Sequence, residues 1–246
     1  GLYNVSINLP ELQGNDLLGP GITPALSYSP LNTQDSGYGL GWGLQLSHYN
    51  PGTNILSLST GETFCIDGSA GSKGSERTTR VGRLTMSEQK LDTFHFYKLD
   101  ETRFRVVHKS GLTEILEVHR SGDKRMAWPV RIIAPSGHSL RLEHKPFNST
   151  QFMLESIKDD QDQPLLNIIR SSTSVEITLY PEAATEDGQL ARFVMSLTGT
   201  DKRVSRITLP TENAASWRFE YGFENDSQLC IKRVETPTGS QEDVYY

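Results

Sequence analysis

Five segments of this chain repeat one short phrase: an apolar residue, a turn-former three positions on, then a strand. In the two clearest copies, Ile132 leads to Pro135, Gly137, Leu142 and His144, and Val234 leads to Pro237, Gly239, Val244 and Tyr246. Val106 opens a third, with Lys109 in the Pro slot and Gly111 in the Gly slot, then Leu116 and Val118. Ile207 opens a fourth, with Pro210 in place and a slightly longer turn before Trp217, Phe219 and Tyr221. Ile157 opens a degraded fifth, with Asp160, Asp162, Asn167 and Ile169. In chain order the starts lie 26, 25, 50 and 27 residues apart, the interval of 50 holding two units. A fixed period of this size marks a repeat architecture, in which each unit leaves an apolar face for the next to cover. It predicts a built surface rather than a catalytic pocket.

The strands within the repeats alternate with period two. Leu140-Arg141-Leu142-Glu143-His144, Val175-Glu176-Ile177-Thr178-Leu179 and Trp217-Arg218-Phe219-Glu220-Tyr221 each put apolar residues on one face. So do Phe94-His95-Phe96 and Phe104-Arg105-Val106. That period predicts antiparallel β-sheet with one solvated face, and a solvated place for His95. Ile55 to Ile66, turning at Ser59-Thr60-Gly61, reads as a hairpin. Residues 67–90, rich in Gly, Ser, Lys, Glu and Arg, read as a long polar loop. Gln189–Leu197 is the one helix candidate, and its Phe193-Val194 core suits a strand equally.

Residues 1–50 differ. They carry Pro10, Pro20, Pro24 and Pro30, and a glycine cluster at Gly37, Gly39, Gly41 and Gly43 around Trp42. Prolines so frequent keep strands to edges and bulges, while alternate glycines permit close backbone approach. This stretch reads as a Pro/Gly-rich cap that starts the sheet, with 51–246 as the repeat region. The chain stops at Tyr245-Tyr246, in the middle of a repeat strand. The repeat region is therefore expected to be incomplete at its C-terminus, a piece of a longer polypeptide.

Apolar content is about 40% when Gly is counted and Tyr left out, below the 45–50% of ordinary globular chains. A wide sheet, dry on one face and wet on the other, reads this way. The net charge of −6 comes with acids and bases interspersed, which argues against nucleic acid as a partner. No apolar run approaches the roughly 18 residues of a membrane-spanning helix. No charged and apolar leader of a classical signal peptide is visible. Cys65 and Cys230 are too few for a disulfide framework and read as small buried side chains.

The repeat phrase resembles the YD-repeats of the Rhs family, best at Arg206-Ile207 through Phe219-Glu220-Tyr221 and at Arg233-Val234 through Val244-Tyr245-Tyr246. The opening stretch is similar to the segment that begins the shell in bacterial Rhs proteins and related insecticidal toxin complex B components. It is carried by Gly1-Leu2-Tyr3-Asn4-Val5-Ser6, Leu26-Ser27-Tyr28-Ser29 and Gly39-Leu40-Gly41-Trp42-Gly43-Leu44. Most repeats lack the Tyr-Asp pair that names them. The resemblance implies a long chain that winds a curved β-shell around a C-terminal toxin domain and helps deliver it. It implies partners in the rest of the same polypeptide and in a secretion-system spike or toxin-complex component. It also places the protein in the bacterial cytoplasm before export and then outside, or in a target cell. The self-cleavage element of the family has no match here.

Nothing in the sequence assembles catalytic chemistry, so the chain reads as no enzyme and as needing no cofactor. Asp159, Asp160 and Asp162 suggest a calcium loop, but the sixth and twelfth positions from Asp160 are Leu165 and Ser171, so a polar turn is expected. Gly71-Ser72-Lys73-Gly74-Ser75 lacks the order of a phosphate loop. The six histidines, at 48, 95, 108, 119, 138 and 144, show no metal-ligand spacing. No Gly-x-Ser-x-Gly elbow appears. Glu143 and Glu155 lie on different strands with nothing to bring them to the separation of a glycosidase pair. An alternative function is carbohydrate binding by a bacterial surface or secreted module. Its ligand-binding residues would be Trp217, Phe219 and Tyr221, which with Phe223 would share one strand face; the simpler role for those rings is cross-strand packing.

Overall fold

The computed structural model describes residues 2–67, 82–86, 93–121, 124–148, 151–183, 191–224 and 228–246. The phosphate-loop-like stretch 71–75 lies outside them. Among the described residues the chain is nearly all β. In chain order the strands are β1 (Val5–Asn8), β2 (Leu12–Gln13), β3 (Gly21–Ile22), β4 (Ala25–Tyr28), β5 (Trp42–Leu44), β6 (His48–Asn50), β7 (Ile55–Ser57) and β8 (Thr63–Cys65). Next come β9 (Gly82–Leu84), β10 (Phe94–Lys98), β11 (Arg103–His108), β12 (Thr113–Ser121), β13 (Lys124–Ile133), β14 (Ser139–Pro146) and β15 (Phe152–Asp159). The last are β16 (Pro164–Arg170), β17 (Ser174–Leu179), β18 (Ala191–Thr198), β19 (Arg203–Thr208), β20 (Ser216–Glu224), β21 (Gln228–Glu235) and β22 (Gln241–Asp243).

Two compact units emerge, one of Gly1–Leu12, Thr23–Leu44 and Pro164–Tyr246, the other of Gln13–Ile22 and Gln45–Gln163. The first holds a three-stranded sheet in the order β1-β4-β5 and a meander, β16 through β22, in which each strand pairs antiparallel with the next. In the second, β6-β7-β8 and β9 through β15 form antiparallel ladders. That sheet curls until β13 meets β6 at Ala127 and Tyr49, and a bridge from Ile66 to Met86 links β8 to the β9 side. The two seams are single rungs rather than full ladders. Tyr49, Leu56, Phe94, Phe96, Phe104 and Leu116 fill the inside of the curl.

The sequence period resolves into one turn. After Val106, Ile132 and Val234 the chain makes the same three-residue hairpin loop. The N–H of the second residue donates to the carbonyl of the sixth, and the N–H of the fifth donates back to the second. The distances are 2.8 and 2.9 Å in the first copy, 2.9 and 2.9 Å in the second, 2.8 and 2.9 Å in the third. The fifth residue is left-handed in each, at φ 88° for Gly111, 93° for Gly137 and 88° for Gly239. This is a type I turn closed by a left-handed residue, where proline suits the first corner and glycine the last. Asp162 fills the last position in the copy from Ile157, at φ 62°, and Ala214 does so at φ 48° in the longer copy from Ile207. All five starting residues are buried. Because two strands make one unit, the turns recur at every second hairpin. The tip of one even packs on the next, since a Cβ added at Gly111 would lie 2.8 Å from Pro135 Cγ.

Several expectations need correction. Within the supposed loop 67–90, Gly82–Leu84 is strand β9, whose one buried apolar side chain, Leu84, was hidden among polar neighbours. Residues 191–198 form a strand, with Phe193 and Met195 buried on one face. In the degraded copy the buried strand residues are Leu166 and Ile168, one step off Asn167 and Ile169, and Ile169 is 63% exposed. His95 does lie opposite Phe94 and Phe96, but it is half-buried, with its ring against Tyr97. Neither cysteine is in a disulfide; Cys230 is buried as expected and Cys65 is exposed. The terminal strand is Gln241–Asp243. Val244 and Tyr246 lie beyond it and fold back on β21 through Val244 N–H to the Lys232 carbonyl and Tyr246 hydroxyl to that of Ile231.

Candidate functional site

In the first unit the three-stranded sheet is tied to the meander by four rings. Trp42 is fully buried, with Phe219 at 4.9 Å and Tyr28 at 5.7 Å between ring centroids, and Tyr221 lies 6.2 Å from Tyr28. The Trp42 indole N–H donates to the Tyr221 hydroxyl at 3.1 Å, which donates in turn to the Val204 carbonyl at 2.7 Å. Every polar atom in this box therefore has a partner, as buried polar groups require. Burial pushes the Tyr221 phenol far above its ordinary value and that of Tyr28 up to about 12, so both stay neutral.

The loop 29–41 runs past this box and is pinned throughout. The Asp35 carboxylate accepts from the N–H of Gly37 and of Gly39, and Leu40 N–H donates to the Lys202 carbonyl. Arg170 Nε donates to the Gly37 carbonyl, while its guanidinium lies 4.9 Å over the Tyr38 ring. Gly41 is left-handed, at φ 82°, and a Cβ there would lie 2.7 Å from Tyr28 Cε2. Only glycine lets the backbone lie against that ring.

Between loop and meander is a pocket of about 190 Å³. Tyr28, Pro30, Leu40, Tyr221 and Leu229 give it apolar walls, and Asn32 and Thr33 stand at its exposed side. Arg203 completes it. Its Nε donates to Asp201 at 2.9 Å, and its guanidinium lies 5.8 Å over the Tyr221 ring. Its two terminal amino groups meet no acceptor among the described residues.

Of the residues expected to bind a ligand, Tyr221 lines this pocket, Phe219 is buried beneath Trp42 at 4% exposure, and Trp217 is half-buried outside it. Phe219 and Tyr221 both reach Trp42, while Phe223, past the register shift opposite Lys232 of β21, is 67% exposed. Arg203 and Leu229 drew no notice in the sequence, and Tyr28 stood out only within the opening stretch. The one signal near them was the glycine cluster, whose close approaches occur at Gly39 and Gly41.

The second unit has a different ring cluster. Trp128 meets His48 in a tilted contact at 5.0 Å and stacks with His144 at 6.3 Å, and His119 lies 5.3 Å from His144 and 5.0 Å from Phe152. His119 Nδ1 bonds the carbonyl of Glu117, but neither ring nitrogen of His144 makes a hydrogen bond of full geometry. Burial, and then the neighbouring His119, push His144 down to about 4, with the Leu142 main chain acting weakly the other way.

The remaining polar groups are structural. Asp159 accepts from the N–H of Asn15, Gln161 and Gln163, and Asp160 binds Asn15, His138 and Ser139. Ser47 Oγ and His108 Nε2 both reach Glu114 Oε2, at 3.0 and 2.8 Å. A nucleophilic triad places the histidine between the other two, whereas this serine is directed straight at the carboxylate. Glu143 is held by Ser156, Arg141 and Lys158, and Glu155 by Lys145.

No protein-family model and no curated protein matches the chain. Among solved structures it is similar to the N-terminal domain of the effector protein SpvB from Salmonella typhimurium strain LT2, at 13% identity and a TM-score of 0.43, over 98% of each chain. It is also similar to a porin-like protein from Bacteroides uniformis ATCC 8492, at 8% identity and a TM-score of 0.40, over 99% of this chain and 94% of that one.

Proposed function

We propose that this chain is a non-catalytic wall section of an Rhs-type β-shell, which encloses a C-terminal toxin domain of the same polypeptide and helps to deliver it. The first fifty residues open the wall and the repeats extend it. One observation carries the reading: four of the five copies of the phrase, spread over more than a hundred residues, make the same three-residue hairpin turn, and the starting residues of all five are buried. A hairpin repeated in this way adds wall without needing a new core. The engagement of Asp159, Asp160, Glu114, Glu143 and Glu155 in turns and pairs supports a scaffold over an enzyme. Carbohydrate binding has less support, because Phe219 is covered and the Tyr221 hydroxyl is committed. The test is protease protection. The full polypeptide, with its C-terminal domain, is digested beside that domain alone. Protection of at least tenfold in rate is expected, and equal digestion of the two samples would sink the reading.

A further inference from the structure

We propose that the pocket beside the 29–41 loop binds a small carboxylate with an apolar body about one ring in size, an aromatic carboxylic acid. Size comes first. An apolar cavity of about 150 Å³ takes up benzene, and this one, of about 190 Å³, has room for a ring and a short acidic arm. Its walls are two tyrosines, a proline and two leucines. The polar groups are few. The Tyr221 hydroxyl is used by Trp42 and Val204, and that of Tyr28 by the main chain of Ile231. Apart from Arg203, the lining offers a sugar's hydroxyls only Asn32 and Thr33, at its exposed side, so most would go without partners, at a cost for each.

Charge comes second. Asp201 holds Arg203 by Nε alone, which orients the guanidinium and leaves the fork of terminal amino groups for an acceptor. A guanidinium fork matches a carboxylate with two parallel hydrogen bonds, a geometry lysine cannot reproduce. The Asp201 charge offsets part of the attraction, so binding is modest. Preorganisation comes third. Asp35, Arg170, Gly41 and the Leu40–Lys202 hydrogen bond hold the loop in place, so little ordering is left for a ligand to impose.

The experiment is a ¹H–¹⁵N titration of the whole chain with phenylacetate, phenylacetamide and glucuronate. Saturable shifts at Leu40, Gly41, Arg203 and Leu229 are expected with phenylacetate, with a Kd on the order of 1 mM. Phenylacetamide should bind at least tenfold more weakly. Arg203→Gln should lose that same factor for phenylacetate and none for phenylacetamide, while Arg203→Lys retains part. Leu229→Trp fills the pocket and should abolish both, and the melting temperature of each variant checks its fold. The proposal is overturned by no shift up to about 20 mM phenylacetate, by equal binding of acid and amide, by an unchanged Arg203→Gln, or by tighter glucuronate.

Discussion

Each unit holds a cluster of aromatic rings around a tryptophan, and the two are built on opposite terms. Around Trp42, indole, phenol and carbonyl form a chain of hydrogen bonds that satisfies every polar atom. Around Trp128, the half-buried histidine at 144 leaves both ring nitrogens without such bonds. Burial already differs, since Trp42, Tyr28 and Phe219 are buried whereas Trp128, His48, His119, His144 and Phe152 are half-buried. The clusters also differ in how each depends on conditions. The Trp42 box has no group that titrates near neutrality, whereas the Trp128 cluster is intact only while His144 stays neutral.

The largest effect belongs to the box. Trp42→Ala removes the ring that joins two sheets and should cost about 3–5 kcal/mol in denaturant unfolding. A loss below about 1 kcal/mol would mean that the rings merely lie side by side. Acid should expose the other cluster. His144 is depressed in the fold from its ordinary 6.5 to about 4, so the unfolded chain takes up the proton first. Stability is therefore full above pH 6.5 and falls as pH drops toward 4, by roughly 3 kcal/mol for this residue. His144→Phe should flatten that part of the stability profile; an unchanged slope would assign it elsewhere. A third variant separates hydrogen bonding from packing. Tyr221→Phe keeps the ring but strands the Trp42 N–H and the Val204 carbonyl, and should cost about 2 kcal/mol at neutral pH. A neutral result would make the two clusters equivalent after all. The smallest effect is at His119. Its charge helps to hold His144 down, so His119→Gln should move the His144 midpoint slightly upward, read from the imidazole proton shifts.

The fold was legible where a local rule repeats. Pro at the third position and Gly at the fifth of the two clearest phrases state a turn type, and the alternation after it states the buried face. A sixth copy was missed. It starts at Leu56, two periods before Val106, and makes the same turn with Gly61 at φ 94°. Its polar filler, Ser59-Thr60, offered no proline to mark it. The bulges were not legible either. Lys232 is an extra residue on β21, opposite the step from Glu220 to Tyr221, and composition does not record it. Pro129 lies at such an irregularity, by the shift between Ile115 and Leu116, where a missing ladder donor is tolerated. The pocket was beyond reach for a different reason. Tyr28 and Leu229 are some two hundred residues apart, and only the folded meander brings them to one wall.

The neighbour-only ladder of β16 through β22 has a mechanical consequence. Its rungs run perpendicular to the strands. Tension applied to an end strand therefore loads one rung at a time, and the sheet peels at low force instead of shearing as a block. A chain of this kind can be drawn through a narrow opening hairpin by hairpin. Each hairpin can then re-form within microseconds beyond it, without waiting for a distant partner. The curled sheet of the other unit resists differently, because the rung between Tyr49 and Ala127 joins strands far apart in the chain. Under load from β22 the meander opens as a zipper only as far as its ties at Trp42–Tyr221 and Leu40–Lys202, and the second unit holds until its clasp gives way.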